Sequence, residues 1–346
     1  MIPSQKIRVM VVDDSMLARS LIMQGLSRHP RIEVVGYALN ALDARAKLPS
    51  LKPDVMTLDV EMPGMNGIDF LRQLLPEHPL PVILVSSLNL RVFDALAAGA
   101  VDFVRKPEKG GQDAFIASLT QKVLAAATAR VHVPAPAAAS AAGNPHLLGH
   151  SPSLGQVIIG LGASTGGTEA TLTVMKQLPE DIPPMLIVQH MPVGFTKMYA
   201  DRLNRLCRME VREAKNGDEL RRGLALIAPA DLQMRVVRIG TKYTVSCMPG
   251  EKVSGHRPSV DVLFRSMADN VSCKMVGIIM TGMGQDGADG LLAMRHRGAY
   301  TIGQDKESSV VYGMPGVAND IGAVITQASC DNIAGVLLRH LKTLSH

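Results

Sequence analysis

Acidic, hydroxyl and basic side chains stand where short apolar runs of this 346-residue chain stop. Asp13 and Asp14 follow Ile7–Val12, Asp59 follows Val55–Leu58, Ser86 and Ser87 follow Pro81–Val85, and Lys106-Pro107 follows Val101–Val104. In an open parallel sheet such strand ends converge on one edge. Clustered carboxylates repel one another, so a hard divalent cation such as Mg²⁺ is the natural occupant of Asp13, Asp14 and Asp59. A carboxylate nucleophile beside that metal can accept a phosphoryl group, with Lys106 neutralising charge on its oxygens. Asp13 and Asp14 alone would read as helix caps. With a third carboxylate, a hydroxyl and Lys-Pro at successive strand ends, they read as a phosphoryl-transfer pocket.

A second constellation begins at Val157-Ile158-Ile159, which runs into Gly160-Leu161-Gly162-Ala163-Ser164-Thr165-Gly166-Gly167. Gly160-x-Gly162-x-x-x-Gly166 fits a dinucleotide loop cradling a pyrophosphate at a helix N-terminus. Gly162-x-Ser164-x-Gly166 fits equally a serine exposed on a tight strand-to-helix turn. The next strand weighs between them. A dinucleotide site wants Asp or Glu there to hold a ribose, whereas Met185–Gln189 ends in His190. None of the five tyrosines has a lysine four residues later, which removes a short-chain dehydrogenase pair. After Val276–Met280, the run Thr281-Gly282-Met283-Gly284-Gln285-Asp286-Gly287 presents Asp286. Taken singly, His190 would be a core or loop histidine and Ser164 a plain turn residue. Jointly they offer a nucleophile, a base and a group to orient the base. The order Ser…His…Asp is no obstacle, because a triad is defined by geometry and role.

These residues need two sheets to hold them. Length suggests roughly two domains, and 47% hydrophobic with 19% charged residues is globular composition. No apolar run approaches the ~18 residues of a membrane span, and Met1–Lys6 lacks a signal-peptide pattern, so a soluble, cytoplasmic protein is expected. The net charge of +5 comes from scattered basic residues, aromatics are 3% and Trp is absent, which leaves little for nucleic-acid stacking. Cys207, Cys247, Cys273 and Cys330 contain no C-x-x-C, so free, mostly core thiols are expected. The Ala/Pro stretch Val131–Gly143 has no apolar periodicity and reads as a linker. The expected division is a first domain over 1–124, a linker over 125–152 and a second domain over 153–346. Ile7–Val12, Ile32–Ala38, Val55–Leu58, Pro81–Val85 and Val101–Val104 are strands of the first, alternating with helices such as Met16–Ser27 and Ala41–Leu48. Val157–Gly162, Met185–Gln189, Ala225–Ala228 and Val276–Thr281 are strands of the second. Thr196–Cys207 is a helix between them, and Val236–Ile239 with Tyr243–Ser246 form a hairpin. Both halves are α/β with buried, mostly parallel sheets.

The first segment closely resembles response-regulator receiver domains, through Val11-Val12-Asp13-Asp14-Ser15, Leu58–Gly67, Ser86-Ser87 and Lys106-Pro107. The resemblance implies a flavodoxin-like fold, Asp59 as phosphorylation site, Asp13 and Asp14 as metal ligands, Ser86 as switch hydroxyl, Lys106 as phosphate partner and Phe103 as coupling aromatic. The second segment looks like the catalytic domain of chemotaxis protein-glutamate methylesterases of the CheB type. The motifs are Gly162–Gly167, Gln189-His190-Met191-Pro192, His256-Arg257-Pro258-Ser259-Val260-Asp261 and Thr281–Gly287. That resemblance implies a doubly wound α/β domain hydrolysing glutamate methyl esters, and often deamidating glutamines, on cytoplasmic helices of chemoreceptors. It gives Ser164 as nucleophile, His190 as general base and Asp286 as its orienter. The oxyanion would be held by the N–H of Met283 with that of Thr165. It also implies a histidine kinase as phosphoryl donor, Mg²⁺ at the receiver only, and no cofactor for the esterase. Two departures stand out: the segment between Ser87 and Gly99 is shorter than the family pattern, and Gly316 follows Met314-Pro315 where a charged residue is expected. The competing reading is a response regulator whose output domain binds a nucleotide or nucleic acid without catalysis.

Overall fold

The computed structural model describes residues 6–62, 65–87, 91–107, 110–131 and 157–344. The chain divides into two compact units at Ala138/Ala139. That point falls inside the expected linker, whose residues 132–152 lie outside the described ones, as do Ser153 and residues 88–90 of the shortened segment.

The first unit alternates β1 (Ile7–Val12), α1 (Met16–Ser27), β2 (Ile32–Ala38), α2 (Ala41–Leu51), β3 (Val55–Asp59), α3 (Gly67–Leu74), β4 (Val82–Ser86), α4 (Arg91–Ala97), β5 (Asp102–Arg105) and α5 (Gln112–Ala126). The strands form one parallel sheet in the order β2-β1-β3-β4-β5, the flavodoxin-like winding. Continuous apolar strands such as Val82–Ser86 are buried along their whole length because helices cover both faces. Helix α5 continues through Ala126, two residues past the expected domain end. Ala125 and Ala126 are buried, and alanine favours helix.

The second unit runs β6 (Val157–Ala163), α6 (Gly167–Lys176), β7 (Met185–Gln189), α7 (Phe195–Leu206), β8 (Glu210–Glu213), β9 (Leu224–Ile227), β10 (Gln233–Ile239), β11 (Lys242–Met248), α8 (Val260–Asn270), β12 (Lys274–Ile279), α9 (Ala288–His296), β13 (Tyr300–Gln304), α10 (Met314–Asp320), β14 (Thr326–Ala328) and α11 (Cys330–Thr343). Seven strands pair in parallel in the order β14-β13-β12-β6-β7-β9-β8. The expected hairpin is β10–β11, an antiparallel sheet of its own. Winding reverses between β6 and β12, and it is outside the carboxyl ends at such a switch point that ligands bind in open α/β sheets.

Helix α8 packs by a continuous apolar stripe. Val260, Leu263, Phe264, Met267 and Ala268 repeat at helical spacing and are all buried; full burial of each large side chain contributes roughly 1.5–3 kcal/mol. The helix lies directly on β6. A Cβ on Gly160 would run into Met267 and Phe264, and one on Gly162 would overlap Val260. Both glycines sit inside β6, not in a loop, so they serve helix-on-strand contact. The pyrophosphate-loop reading of Gly160-x-Gly162 is thereby corrected.

Candidate active site

At the carboxyl edge of the first sheet, Asp13 follows β1 and Asp59 ends β3. Ligand oxygens of Asp13, Asp14 and Asp59 all lie within 4.8 Å of one another; Asp13 and Asp59 are buried and Asp14 is exposed. Lys106 Nζ donates to Asp59 Oδ2 at 2.7 Å. It also lies 3.0 Å from Asp13 Oδ2, but misaligned, so this buried oxygen has no hydrogen-bond partner among the described residues. Backbone N–H groups of Ser15 and Glu61 donate to Asp13 Oδ1 and Asp59 Oδ1. Burial raises the Asp59 carboxyl above its ordinary range, and Lys106 only partly offsets this. Burial would lower the Lys106 ammonium, yet its carboxylate partners outweigh that and raise it. Ser86 ends β4 with its Oγ buried and unpartnered among the described residues. Phe103 points into the core, edge-on to Phe93 at 6.4 Å between ring centroids. A cluster of three carboxylates, one of whose buried oxygens accepts no hydrogen bond among the described residues, suits a hard divalent cation.

In the second sheet the neighbours β12, β6 and β7 carry the other constellation. Ser164 follows β6 on the turn into α6, half-buried, and its N–H donates to Thr281 O at 3.0 Å. The turn's left-handed residue is Gly166, at φ 76°; the serine itself is not at positive φ. His190 follows β7, and its Nε2 is 2.8 Å from Asp286 Oδ2. That carboxylate assigns the proton to Nε2 and leaves Nδ1 as the basic nitrogen. Nδ1 is buried with no hydrogen-bond partner among the described residues, Ser164 Oγ included. Hydrogen bonds between nucleophile and base often tighten only when substrate binds. Asp286 is buried; burial alone would raise its carboxyl, but hydrogen bonds from His190, Ser259 and the Val260 N–H hold it below its ordinary value. Met283 lies half-exposed on the loop after β12, and Thr165 is buried beside the α6 N-terminus. Gly282 lets this loop approach the nucleophile, since a Cβ there would crowd Ser164 Cβ at 2.7 Å.

Sequence reasoning assigns no role to several supporting groups. The His256 ring stacks on His190, centroids 3.7 Å apart and planes 8° from parallel. Gln189 Nε2 donates to Ser164 O at 2.8 Å, and Thr281 Oγ1 to Thr165 O at 3.0 Å. His256 and Ser259 lie in a run legible only as a motif, and nothing in its spacing connects it with strand ends. Gly316 lies in α10, buried, where an added Cβ would meet the Tyr312 ring at 3.0 Å. A larger charged residue at that position would have to displace the ring.

Comparison with known proteins agrees with both halves. The family model of the response regulator receiver domain matches residues 9–117, and that of the CheB methylesterase matches residues 159–337. The chain is 49% identical over 345 residues to a protein-glutamate methylesterase/protein-glutamine glutaminase 2 of Syntrophomonas wolfei, covering 98% of this chain and 99% of that one. It is 47% identical over 343 residues to the protein of that activity in Syntrophotalea carbinolica, covering 95% and 96%. Among solved structures, the CheB methylesterase catalytic domain of Thermotoga maritima superposes with a TM-score of 0.52 at 33% identity, over 54% of this chain and 98% of that one. A non-catalytic output domain finds no support in these matches.

Proposed function

The chain belongs to the CheB methylesterase family, and from that membership we propose how its two residue clusters carry out the family's work. It is a phosphorylation-regulated protein-glutamate methylesterase/protein-glutamine glutaminase of chemotaxis. Its substrates are methylated glutamates, and some glutamines, on the cytoplasmic helices of chemoreceptors, and a histidine kinase supplies the phosphoryl group. The enzyme therefore works in the cytoplasm.

Ser164 Oγ attacks the ester carbonyl while His190 Nδ1 takes its proton. Asp286 holds the imidazole through Nε2 and balances the imidazolium that forms. The oxyanion is met by the Met283 N–H, with that of Thr165 as second donor, and the N-terminus of α6 favours the same developing charge. Collapse expels methanol, protonated by His190, and leaves an acyl-Ser164. Water, deprotonated by the same nitrogen, then releases the glutamate. A glutamine substrate follows the same course and loses ammonia. The observation that carries this reading is the 2.8 Å His190–Asp286 contact, with an unpartnered Nδ1, one strand over from Ser164.

In the receiver, Asp59 accepts the phosphoryl group, and Lys106 and the unpartnered Ser86 hydroxyl bind its oxygens. Asp13, Asp14 and Asp59 would hold Mg²⁺, which would neutralise charge as the phosphoryl group arrives. Phe103 passes the change onward from the core.

Methanol release from methylated receptor fragments, with and without a phosphoryl donor, tests the whole scheme. Ser164→Ala should abolish release without loss of folding or receptor binding. Residual activity within a few-fold of wild type would remove Ser164 from the mechanism.

A further inference from the structure

We infer that Ser259, held in turn by Gln233, is a positioning residue for ester hydrolysis and extends the Ser164–His190–Asp286 line by one hydroxyl. The inference rests on the triad reading above. Asp286 is saturated on the side away from His190. Oδ1 accepts from Ser259 Oγ at 2.7 Å and from the Asp261 N–H at 3.2 Å, and Oδ2 accepts from the Val260 N–H at 2.8 Å as well as from His190. These donors all belong to the first turn of α8 and its cap, so the carboxylate sits over a helix N-terminus, where negative charge is favoured. Ser259 is the N-cap, fully buried, and its N–H donates to Gln233 Oε1 at 2.9 Å. Gln233, also fully buried, spends its amide N–H on Glu251 O at 2.8 Å. A line of hydrogen bonds thus runs from β10 through Gln233, Ser259 and Asp286 to His190. It gives the detached hairpin a part in the chemistry.

Two effects on the base result. The Ser259 hydroxyl fixes the rotation of the carboxylate, and hence the plane of the imidazole. Its dipole also offsets part of the Asp286 charge felt at His190. Removing it therefore changes both how the base is aimed and the charge it faces as it takes the Ser164 proton.

The test compares Ser259→Gly, Ser259→Ala and Ser259→Thr in the full-length protein, using methanol release from methylated receptor fragments. Glycine is the informative change, because it caps a helix almost as well as serine but brings no hydroxyl. The Gly and Ala variants should lose about tenfold in kcat with KM unchanged, as expected for a lost hydrogen bond to a charged group. Thr should restore kcat. The Gly and Ala variants should also lose some thermal stability, because the same bond helps hold the buried Asp286 carboxyl low, so kcat is compared at a temperature where each variant is folded. If Ser259→Gly keeps kcat within twofold, Ser259 is a helix cap only and the inference fails. Ser164→Ala run alongside separates the two readings: full activity there would sink the triad, whereas an inert Ser164→Ala with an unaffected Ser259→Gly would sink only this proposal.

Discussion

At the scale of single residues, three outcomes are expected. His256 stacks flat on His190, so its contribution is to hold the plane of the base. His256→Phe should keep most of the esterase rate and His256→Ala should lose several-fold in kcat, both measured by methanol release; equal losses would point to a polar role. Burial pushes the thiols of Cys247 and Cys330 up to about 12 and that of Cys207 up to about 11. Thiolate is the reactive form, so iodoacetamide at pH 8 should leave these three unlabelled and the enzyme active; rapid inactivation would contradict the assigned serine chemistry. In the receiver, Asp14→Asn should weaken Mg²⁺ binding, measured by titration with the metal, and slow phosphorylation. Labelled phosphate still appearing on Asp59→Asn would show that the acceptor is another residue. Asp286 adds a dependence on pH: a carboxyl held low in the folded state contributes stability that is present above its unfolded value and lost as pH falls through its lower folded value. Asp286→Asn should therefore be destabilising at neutral pH, with the gap to wild type closing in acid.

Among elements, the sequence is most legible where the physics is local. Ile7–Val12, Ile32–Ala38, Met16–Ser27 and Met185–Gln189 are found with the expected bounds, because continuous apolar strands and a 3.6-residue period leave little choice. Helix α2 runs past Pro49 to Leu51, where the pattern suggests a stop at Leu48. Arg8 draws that last turn in by donating to the carbonyls of Leu51 and Lys52. Strands β8 and β14 are invisible in the sequence because Glu210–Glu213 is a charged edge strand and Thr326–Ala328 is three residues long. Strand β13 hides in the polar Tyr300-Thr-Ile-Gly-Gln. Strand-end chemistry can be read because it needs only the strand and its next residue. The Ser259 and His256 contacts cannot, since they depend on how α8 crosses β6. That crossing predicts its own test. Gly162→Ala forces a methyl into Val260 and should cost about 1–3 kcal/mol in chemical denaturation; adding Val260→Ala should recover part of it. Failure to recover would mean that the crossing is not limited by this contact.

For the whole molecule, the receiver match and the methylesterase match fall on different units, and phosphorylation of the first regulates the second. We propose that the unphosphorylated receiver holds the second unit in a less active state and that phosphorylation at Asp59 releases it. Moving an equilibrium from 1:99 to 99:1 takes about 5.5 kcal/mol of differential stability, and several charge-assisted hydrogen bonds to one phosphoryl group are of that order. A fragment beginning near Ser153 should then hydrolyse receptor esters faster than the unphosphorylated full chain. An equal or slower rate would replace restraint with stimulation by the phosphorylated receiver. The reversal of winding between β6 and β12 has a different kind of consequence, one of timing. Ribosomes deliver Ser164 and His190 first, and Asp286 only 96 residues after the histidine. Until β12 slides in beside β6, the latter is a bare edge with unpaired N–H and C=O groups, and the histidine has no carboxylate. A nascent chain that stops short of Lys274 should be inert and open to proteases. Hydrolytic competence is therefore acquired late in synthesis, when about the final fifth of the chain closes the sheet, and an unfinished enzyme can strip no receptor of its methyl groups.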